Sequence, residues 1–281
     1  MKKLSLLLVI PALLLVGCKG QKISEDKARA VATKISEKTK SDDNDTPHNF
    51  EMIFSADGSS YDEDEGKSLK TDIKYKLSVN EADETRLQAK GYVGKEKQDF
   101  CLMSVKKEGY DDNIVYLKVF NEEEDKYEEA IYLDSSDSRV TPYEMQLLLP
   151  AFVLATYSDP LEMMEDEDVK NGQTTEGEGE NAITYDNTVN YFSRGEGNLT
   201  IEATKKYVSG NFLEGNEEQI ETKATFTYDN FYIKSGTIKS KSNMNNEMNT
   251  SFTVTLKKSK INFELPKNWE EMIAPEINNE D

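Results

Sequence analysis

The chain reads as an α+β protein, mainly β, built on a long curved antiparallel sheet, a half-barrel, wrapped over central helices and joined by an N-terminal helix. Three observations predict this class. Runs in which apolar and polar residues alternate fill most of the chain and are parted by short polar turns. A helical pattern precedes the first of these runs, and a doubled helical pattern interrupts them in mid-chain.

The first element is not part of that fold. Met1-Lys2-Lys3 is basic, and Leu4 to Val16 is almost wholly apolar, broken by Ser5 and Pro11. This run of thirteen residues is well short of the ~20 that span a bilayer as a helix, so it reads as the hydrophobic region of a signal peptide. It ends in Leu15-Val16-Gly17-Cys18, which resembles the lipobox of bacterial lipoproteins: a branched apolar residue, an aliphatic one, Gly, then Cys. The resemblance implies cleavage before Cys18, diacylglycerol on its thiol, and often acylation of the new N-terminus. Two or three chains, at ~0.8 kcal/mol per buried methylene, hold a protein stably to a membrane where one chain does so marginally. The implied location is the cell membrane or outer membrane, lipid-anchored and facing outward from the cytoplasm.

From Ser24 to Lys40 the pattern is helical, with Ser24 as N-cap, Glu25 and Asp26 in the first turn, and Ala28, Val31 and Ile35 on one stripe. The stripe is narrow and made of small residues, which suits a helix docked over a sheet edge; a stalk spacer is the alternative. The stretch Ser41-Asp42-Asp43-Asn44-Asp45-Thr46-Pro47 has no apolar residue and reads as a loop.

Strands follow. The clearest is Leu69 to Val79, where Leu69, Thr71, Ile73, Tyr75, Leu77 and Val79 alternate with Lys70, Asp72, Lys74, Lys76 and Ser78. Such alternation means one buried and one wet face. Shorter runs occupy Phe50 to Phe54, Leu87 to Val93, Phe100 to Val105, Ile114 to Phe120 and Tyr127 to Leu133, separated by Asn80 to Glu84, Gly109 to Asn113 and Asn121 to Asp125. Together they predict a meander.

Thr141-Pro142-Tyr143-Glu144 then combines a Thr N-cap, Pro at the first helical position and Glu at the third, a capping box that opens the apolar run Met145 to Tyr157. Asp159-Pro160-Leu161-Glu162 repeats the signature. Two helices are expected, with Pro150 kinking or dividing the first. That helix is apolar nearly all round and calls for cover on several sides. The polar, glycine-rich stretch from Glu165 to Asn181 reads as a mobile loop. Strands resume at Ile183 to Tyr191 and Leu199 to Ala203, a hairpin around Arg194 to Asn198, then at Ile220 to Tyr228, Phe231 to Ile238, Met248 to Leu256 and Ile261 to Leu265. No fixed-period repeat and no mid-chain linker appears. The expected partition is 1–17 signal peptide, 18–48 lipidated N-terminus with helix and acidic loop, and 49–281 one antiparallel-sheet domain with a helical insert near 141–169.

Charge narrows the function classes. The chain has 34 Lys and Arg against 54 Asp and Glu, a formal charge of -20. Loss of the leader removes Lys2 and Lys3 and leaves 32 basic against 54 acidic side chains. Such a surface repels phosphate backbones, which excludes nucleic acid as a partner. Catalytic constellations are missing. The one histidine, His48, sits beside Pro47 in an acidic loop and reads as solvated. With Cys18 committed to lipid, Cys101 has no disulfide partner, and its flanks Phe100 and Leu102-Met103 mark it as a small buried hydrophobe. No Ser-His-Asp, zinc or phosphate-loop pattern can be assembled. The acidic clusters Asp62 to Glu65 and Glu165 to Asp168 lack calcium-loop spacing. An enzyme, a metal centre and a cofactor are therefore not expected.

The remaining candidate site is apolar: Leu148, Phe152, Val153 and Tyr157 on the central helix opposite Ile73, Tyr75 and Leu77 on the clearest strand, enclosing either filled core or a hydrophobic pocket. The order of elements, with paired central helices between two groups of strands, a helix just after a lipobox and a closing strand at Leu265-Pro266, resembles the LolA/LppX-like lipoproteins over roughly Ser24 to Trp269. That resemblance implies a half-barrel over helices and, as in several members, a lipid or lipoprotein in the concavity. Two readings follow: a non-enzymatic protein held to the membrane through a lipid on Cys18 that binds a lipid or other hydrophobic ligand between sheet and helices, or a surface structural or interaction lipoprotein with a filled core.

Overall fold

A computed structural model describes residues 20–41, 49–62, 66–134, 137–177, 179, 182–212 and 217–275. The segment read as a signal peptide, Cys18, most of the acidic loop after the first helix and His48 lie outside the described residues. The class is as expected: α+β, mainly β, with a large antiparallel sheet that does not close into a barrel and an N-terminal helix.

In chain order the elements are β1 (Gln21–Ile23), α1 (Glu25–Ser41), β2 (Phe50–Asp62), β3 (Lys67–Val79), β4 (Thr85–Val93), β5 (Glu96–Val105), β6 (Ile114–Asn121) and β7 (Lys126–Tyr132). Helices α2 (Thr141–Glu144), α3 (Leu148–Tyr157) and α4 (Pro160–Met163) follow, with 3-10 turns at Met145–Leu147 and Glu167–Val169. The chain continues as β8 (Gly172–Glu176), β9 (Ile183–Gly195), β10 (Asn198–Ser209), β11 (Gln219–Asp229), β12 (Tyr232–Ser242) and β13 (Glu247–Leu256), and a 3-10 turn lies at Trp269–Met272. It divides into two compact units, residues 1–44 with 155–249, and residues 45–154 with 250–281.

In the second unit β2 to β7 form an antiparallel meander, each strand paired with the next. The alternation read in β3 is real: Ile73, Tyr75 and Leu77 are buried while Lys70, Asp72 and Lys74 are exposed. The turn after β3 is organised by Asn80, whose Oδ1 accepts from the amides of Ala82 and Glu84, each at 3.0 Å. Gly91 is required by packing, because a Cβ there would lie 2.0 Å from the carbonyl oxygen of Asp72 on β3. Leu87, Leu102, Ile114, Val115 and Ile131 are fully enclosed.

Residues 261–265 differ from expectation. Phe263 and Leu265 do pack inward, with Trp269 and Met272, on Met103, Val105, Ile114, Tyr116 and Ile131. The segment forms no strand, however. Side chains take the place of a ladder: Asn49 Oδ1 accepts from the Ile261 amide at 3.4 Å and the Asn80 amide donates to the Ile261 carbonyl at 3.1 Å. The Trp269 ring meets Tyr110 edge-on at 5.9 Å.

The mid-chain helices also differ in detail. Thr141 is inside α2, after Val140, and donates its hydroxyl to the Asp137 carbonyl at 3.3 Å, so it makes no cap. The helical run is divided at Met145–Leu147, and Pro150 sits in the first turn of α3, where its missing N–H costs nothing. One side of this segment is left uncovered, with Met145, Leu148, Leu149 and Phe152 all exposed.

In the first unit β9, β10, β11 and β12 pair in sequence. The outer edge of β9 is shared by β1 near its end and by β8 near its start. β8 falls where a loop was expected; Gly-Gln-Thr-Thr-Glu has no apolar alternation, and it is held by backbone pairing with β9 and by polar side chains, the Asn187 amide donating to Thr174 at 3.2 Å and Lys205 pairing with Glu176. Ser24 begins α1, its carbonyl accepting from the Ala28 amide at 2.9 Å. The docked alternative is the one found: Ala28, Ala32 and Ile35 are fully buried, and α1 lies on β9, β10 and α4. Small side chains permit that close approach.

Candidate ligand-binding site

A cavity of about 400 Å³ lies in the first unit, partly open to solvent. Its floor is one face of the sheet. Register sets Ala203 of β10 opposite Ala224 of β11, and Ala224 in turn opposite Ile238 of β12, with Lys205 opposite Thr222 one step along. Side chains two apart on a strand share a face, so Tyr185, Ala203, Lys205, Thr222, Ala224, Phe226 and Ile238 all reach the lining. The space exists because two facing alanines present only methyl groups where larger residues would fill it.

The roof is helical: Tyr157 ends α3, Met163 ends α4, Asp166 precedes the 3-10 turn beyond and Val169 ends it. Asp159 positions this roof. Its carboxylate caps α4, accepting from the amides of Leu161 at 2.9 Å and Glu162 at 3.4 Å. It also accepts from the buried Ser36 hydroxyl of α1 and pairs with Lys40 at 2.9 Å. Tyr228 ties floor to roof, donating its hydroxyl to the Tyr157 carbonyl at 2.8 Å. Burial pushes the Tyr228 hydroxyl far above its ordinary range. The Tyr157 ring stacks on Phe226 at 4.4 Å and 25°.

Charged side chains also line the cavity. Lys205 hydrogen-bonds Glu176 and lies 4.6 Å from the Tyr185 ring centroid. Asp166 and Glu218 complete the charged lining on this side. Glu221, although at the margin, is engaged by Lys223 at 2.9 Å and Lys206 at 3.3 Å, and the Lys223 hydrogen bond leads in holding its carboxyl below the usual range. Burial, reinforced by Asp166, pushes the Tyr157 hydroxyl up. The arrangement therefore offers a largely aromatic and aliphatic interior beside a set of charged side chains, the form of a pocket for a small hydrophobic molecule.

Of the residues read from the sequence as a ligand site, Tyr157 lines this cavity. Leu148 and Phe152 are 63% and 67% exposed, and Val153 is buried. Ile73, Tyr75 and Leu77 are buried together on one face of β3 in the second unit, where the Tyr75 ring lies 6.2 Å from Phe54. Tyr185, Phe226 and the alanine pair carried no local motif; only strand register brings them together. Cys101 is free and half-buried, and burial pushes its thiol up, which keeps it protonated.

Among the described residues no group of three or more His, Cys, Asp or Glu is placed to hold a metal ion, and no helix is long and apolar enough to cross a membrane. No protein-family model matches the chain, and no curated protein matches it.

Proposed function

We propose that the chain is a membrane-anchored, extracytoplasmic lipoprotein without enzymatic activity that takes a lipid chain or another hydrophobic ligand into the cavity of its first unit. The observation that carries the ligand is the space between Ala203, Ala224 and the Tyr157–Phe226 stack, an unfilled apolar interior beneath a helical roof. Its ~400 Å³ falls within the ~300–1,000 Å³ common for ligand pockets, near the lower end, which suits one chain or a ring system. The anchor is supported by Leu15-Val16-Gly17-Cys18 and the short apolar run before it. The resemblance to LolA/LppX-like lipoproteins agrees with both parts, and the acidic surface argues against nucleic acid.

The ligand is tested by native mass spectrometry of the full-length chain and by uptake of a fluorescent fatty acid. Wild type is expected to carry or take up an apolar molecule, and Ala224→Leu, which fills the floor, to lose uptake while keeping its circular dichroism spectrum. Equal uptake by both proteins would remove the cavity from consideration. The anchor is tested by labelled palmitate, which wild type incorporates and Cys18→Ser does not.

One observation favours the second reading, a surface interaction lipoprotein with no small-molecule ligand. Met145, Leu148, Leu149 and Phe152 are spaced along one side of the mid-chain helical segment and are exposed, in residues 145–158, which hold no Asp, Glu, Lys or Arg. An exposed apolar stripe of this kind serves to meet another surface. Absence of ligand uptake, together with a partner lost on Phe152→Asp, would favour it.

A further inference from the structure

Resting on the lipid anchor proposed above, we infer that the first unit stands on an anionic bilayer by the end that carries the β9–β10 hairpin, with Lys22 and Arg194 against the lipid phosphates. The tether decides which end this is. One residue, Lys19, separates Cys18 from Gly20, and two peptide steps reach at most ~7 Å. Gly20 is locked to the hairpin: its φ is +88°, and a Cβ there would lie 2.5 Å from the Ser193 carbonyl oxygen and 2.9 Å from the Arg194 Cγ. From the next residue the chain is part of the sheet, with Gln21 opposite Ser193, Lys22 opposite Phe192 and Ile23 opposite Tyr191. A lipid on Cys18 therefore has no length of stalk to work with, and it draws the hairpin end down to the headgroups. The other end of β10 is held off, since its 12 residues span roughly 35 Å at ~3.3 Å per residue.

Charge at this end suits the partner. Lys22 and Arg194 fall on one face of the sheet, because Lys22 is opposite Phe192 and Arg194 is two residues on from Phe192. Both are exposed, and no carboxylate pairs with either among the described residues. The neighbouring carboxylates are engaged: Glu196 at the hairpin tip by Lys34 at 2.7 Å, and Asp229, which shares a small recess with Arg194, by Lys234 at 3.0 Å. Glu37, on the next turn of α1, also faces Lys34. Lys19, beside the anchor in the sequence, adds a further cation. The end is thus locally basic on a chain whose formal charge is -20. Fields are screened over ~8 Å at physiological ionic strength, so these groups rather than distant acids meet the bilayer. An anionic surface repels the rest of the acidic body and attracts this end, so charge and tether select the same orientation.

The test uses the lipidated full chain in a Cys101→Ser background, reconstituted into vesicles of phosphatidylcholine and phosphatidylglycerol in equal parts. A fluorophore is placed at the hairpin tip through Glu196→Cys or at the far end of β10 through Ser209→Cys, and its quenching by lipids with a nitroxide headgroup is measured. Quenching at the tip is expected to exceed that at the far end several-fold. Adding Lys22→Gln/Arg194→Gln should lower quenching at the tip by about twofold on these vesicles and leave it unchanged on pure phosphatidylcholine. Lys239→Gln/Lys241→Gln, which removes the same charge from the far half of β12, should leave it unchanged on both. Arg194→Gln alone, at an exposed side chain, gives a partial loss should the double variant fail to fold. Equal quenching at the two positions, or more at the far end, would overturn the orientation while leaving the anchor standing. A loss as large in the β12 variant, or none in Lys22→Gln/Arg194→Gln, would overturn the basic contact. Failure of the wild type to incorporate labelled palmitate would instead defeat the anchor reading, and this inference with it.

Discussion

Replacing Asp159 with alanine tests how the roof of the cavity is held. Asp159 is buried, with its side chain 12% exposed, and the carboxylate has four partners: the amides of Leu161 and Glu162, the Ser36 hydroxyl and the Lys40 ammonium. Loss of an N-cap of this type costs about 1 kcal/mol. The Ser36 hydroxyl, buried on α1, then loses its acceptor, which adds about 1–3 kcal/mol. Lys40 contributes little, because its side chain is 72% exposed and water screens the pair. The alanine variant is therefore expected to destabilise the first unit by about 2–4 kcal/mol. Asparagine still caps and still accepts from Ser36, so Asp159→Asn should fall within about 1 kcal/mol of wild type. Hydrogen exchange of the α1 amides, read beside urea unfolding followed by circular dichroism, localises the loss to this unit. Equal costs for the two variants, or a cost below 1 kcal/mol for alanine, would refute the account. Acid adds a second check. Burial raises the Asp159 carboxyl, but the hydrogen bonds from Ser36, Lys40, Leu161 and Glu162 outweigh it and bring it below its ordinary value. A depressed carboxyl stabilises the fold above its unfolded value, ~3.9, and that contribution disappears as pH falls through the folded value. The asparagine variant should lack this part of the acid limb.

Three further outcomes are expected. Gly91→Ala should destabilise the second unit by at least about 2 kcal/mol in urea titration, because φ is +138° there and the new methyl meets the Asp72 carbonyl. Glu51 is held down at about 2, chiefly by hydrogen bonds from Lys257 and Lys76; its contribution is full above ~4.3 and is lost as pH falls through about 2, so Glu51→Gln should flatten stability over that window, with a carboxyl titration by NMR as the direct reading. Phe152→Asp should shift thermal unfolding by no more than about 0.5 kcal/mol, since the ring is 67% exposed, whereas Val153→Asp one position on should cost several-fold more, since Val153 is 7% exposed.

The parts of the fold legible in the sequence are those that bury a face. β3 could be read, apart from its first two residues, because Ile73, Tyr75 and Leu77 alternate with Asp72, Lys74 and Lys76, and α1 because Ala28 and Ile35 lie on the expected stripe, although Ala32 and not the half-buried Val31 completes its buried face. The Asp159 cap was legible because it is a local bond between a carboxylate and the next turn. Elements held by backbone pairing and polar contacts, with no apolar face to bury, were not. β1 and β8 carry no apolar alternation and exist because the edge of β9 offers unpaired amides and carbonyls. Residues 261–265 show the reverse: inward-facing Phe263 and Leu265 mimic a strand, while Asn49 and Asn80 satisfy the backbone from their side chains. For the site, Tyr157 stood out as the aromatic end of an apolar run. Phe226, Tyr185, Ala203 and Ala224 did not, because a cavity is made by what register sets opposite what, and alanines on strands announce nothing by themselves.

The one tryptophan gives the molecule a built-in reporter. Trp269 is packed in the second unit against Tyr110 and the Met103–Ile131 cluster, so intrinsic indole emission follows that unit and is blind to the other. Placing a second indole by Phe226→Trp would make the cavity floor luminous too, and comparing melting curves at the two sites would show whether the halves of the chain come apart as one cooperative body or in turn.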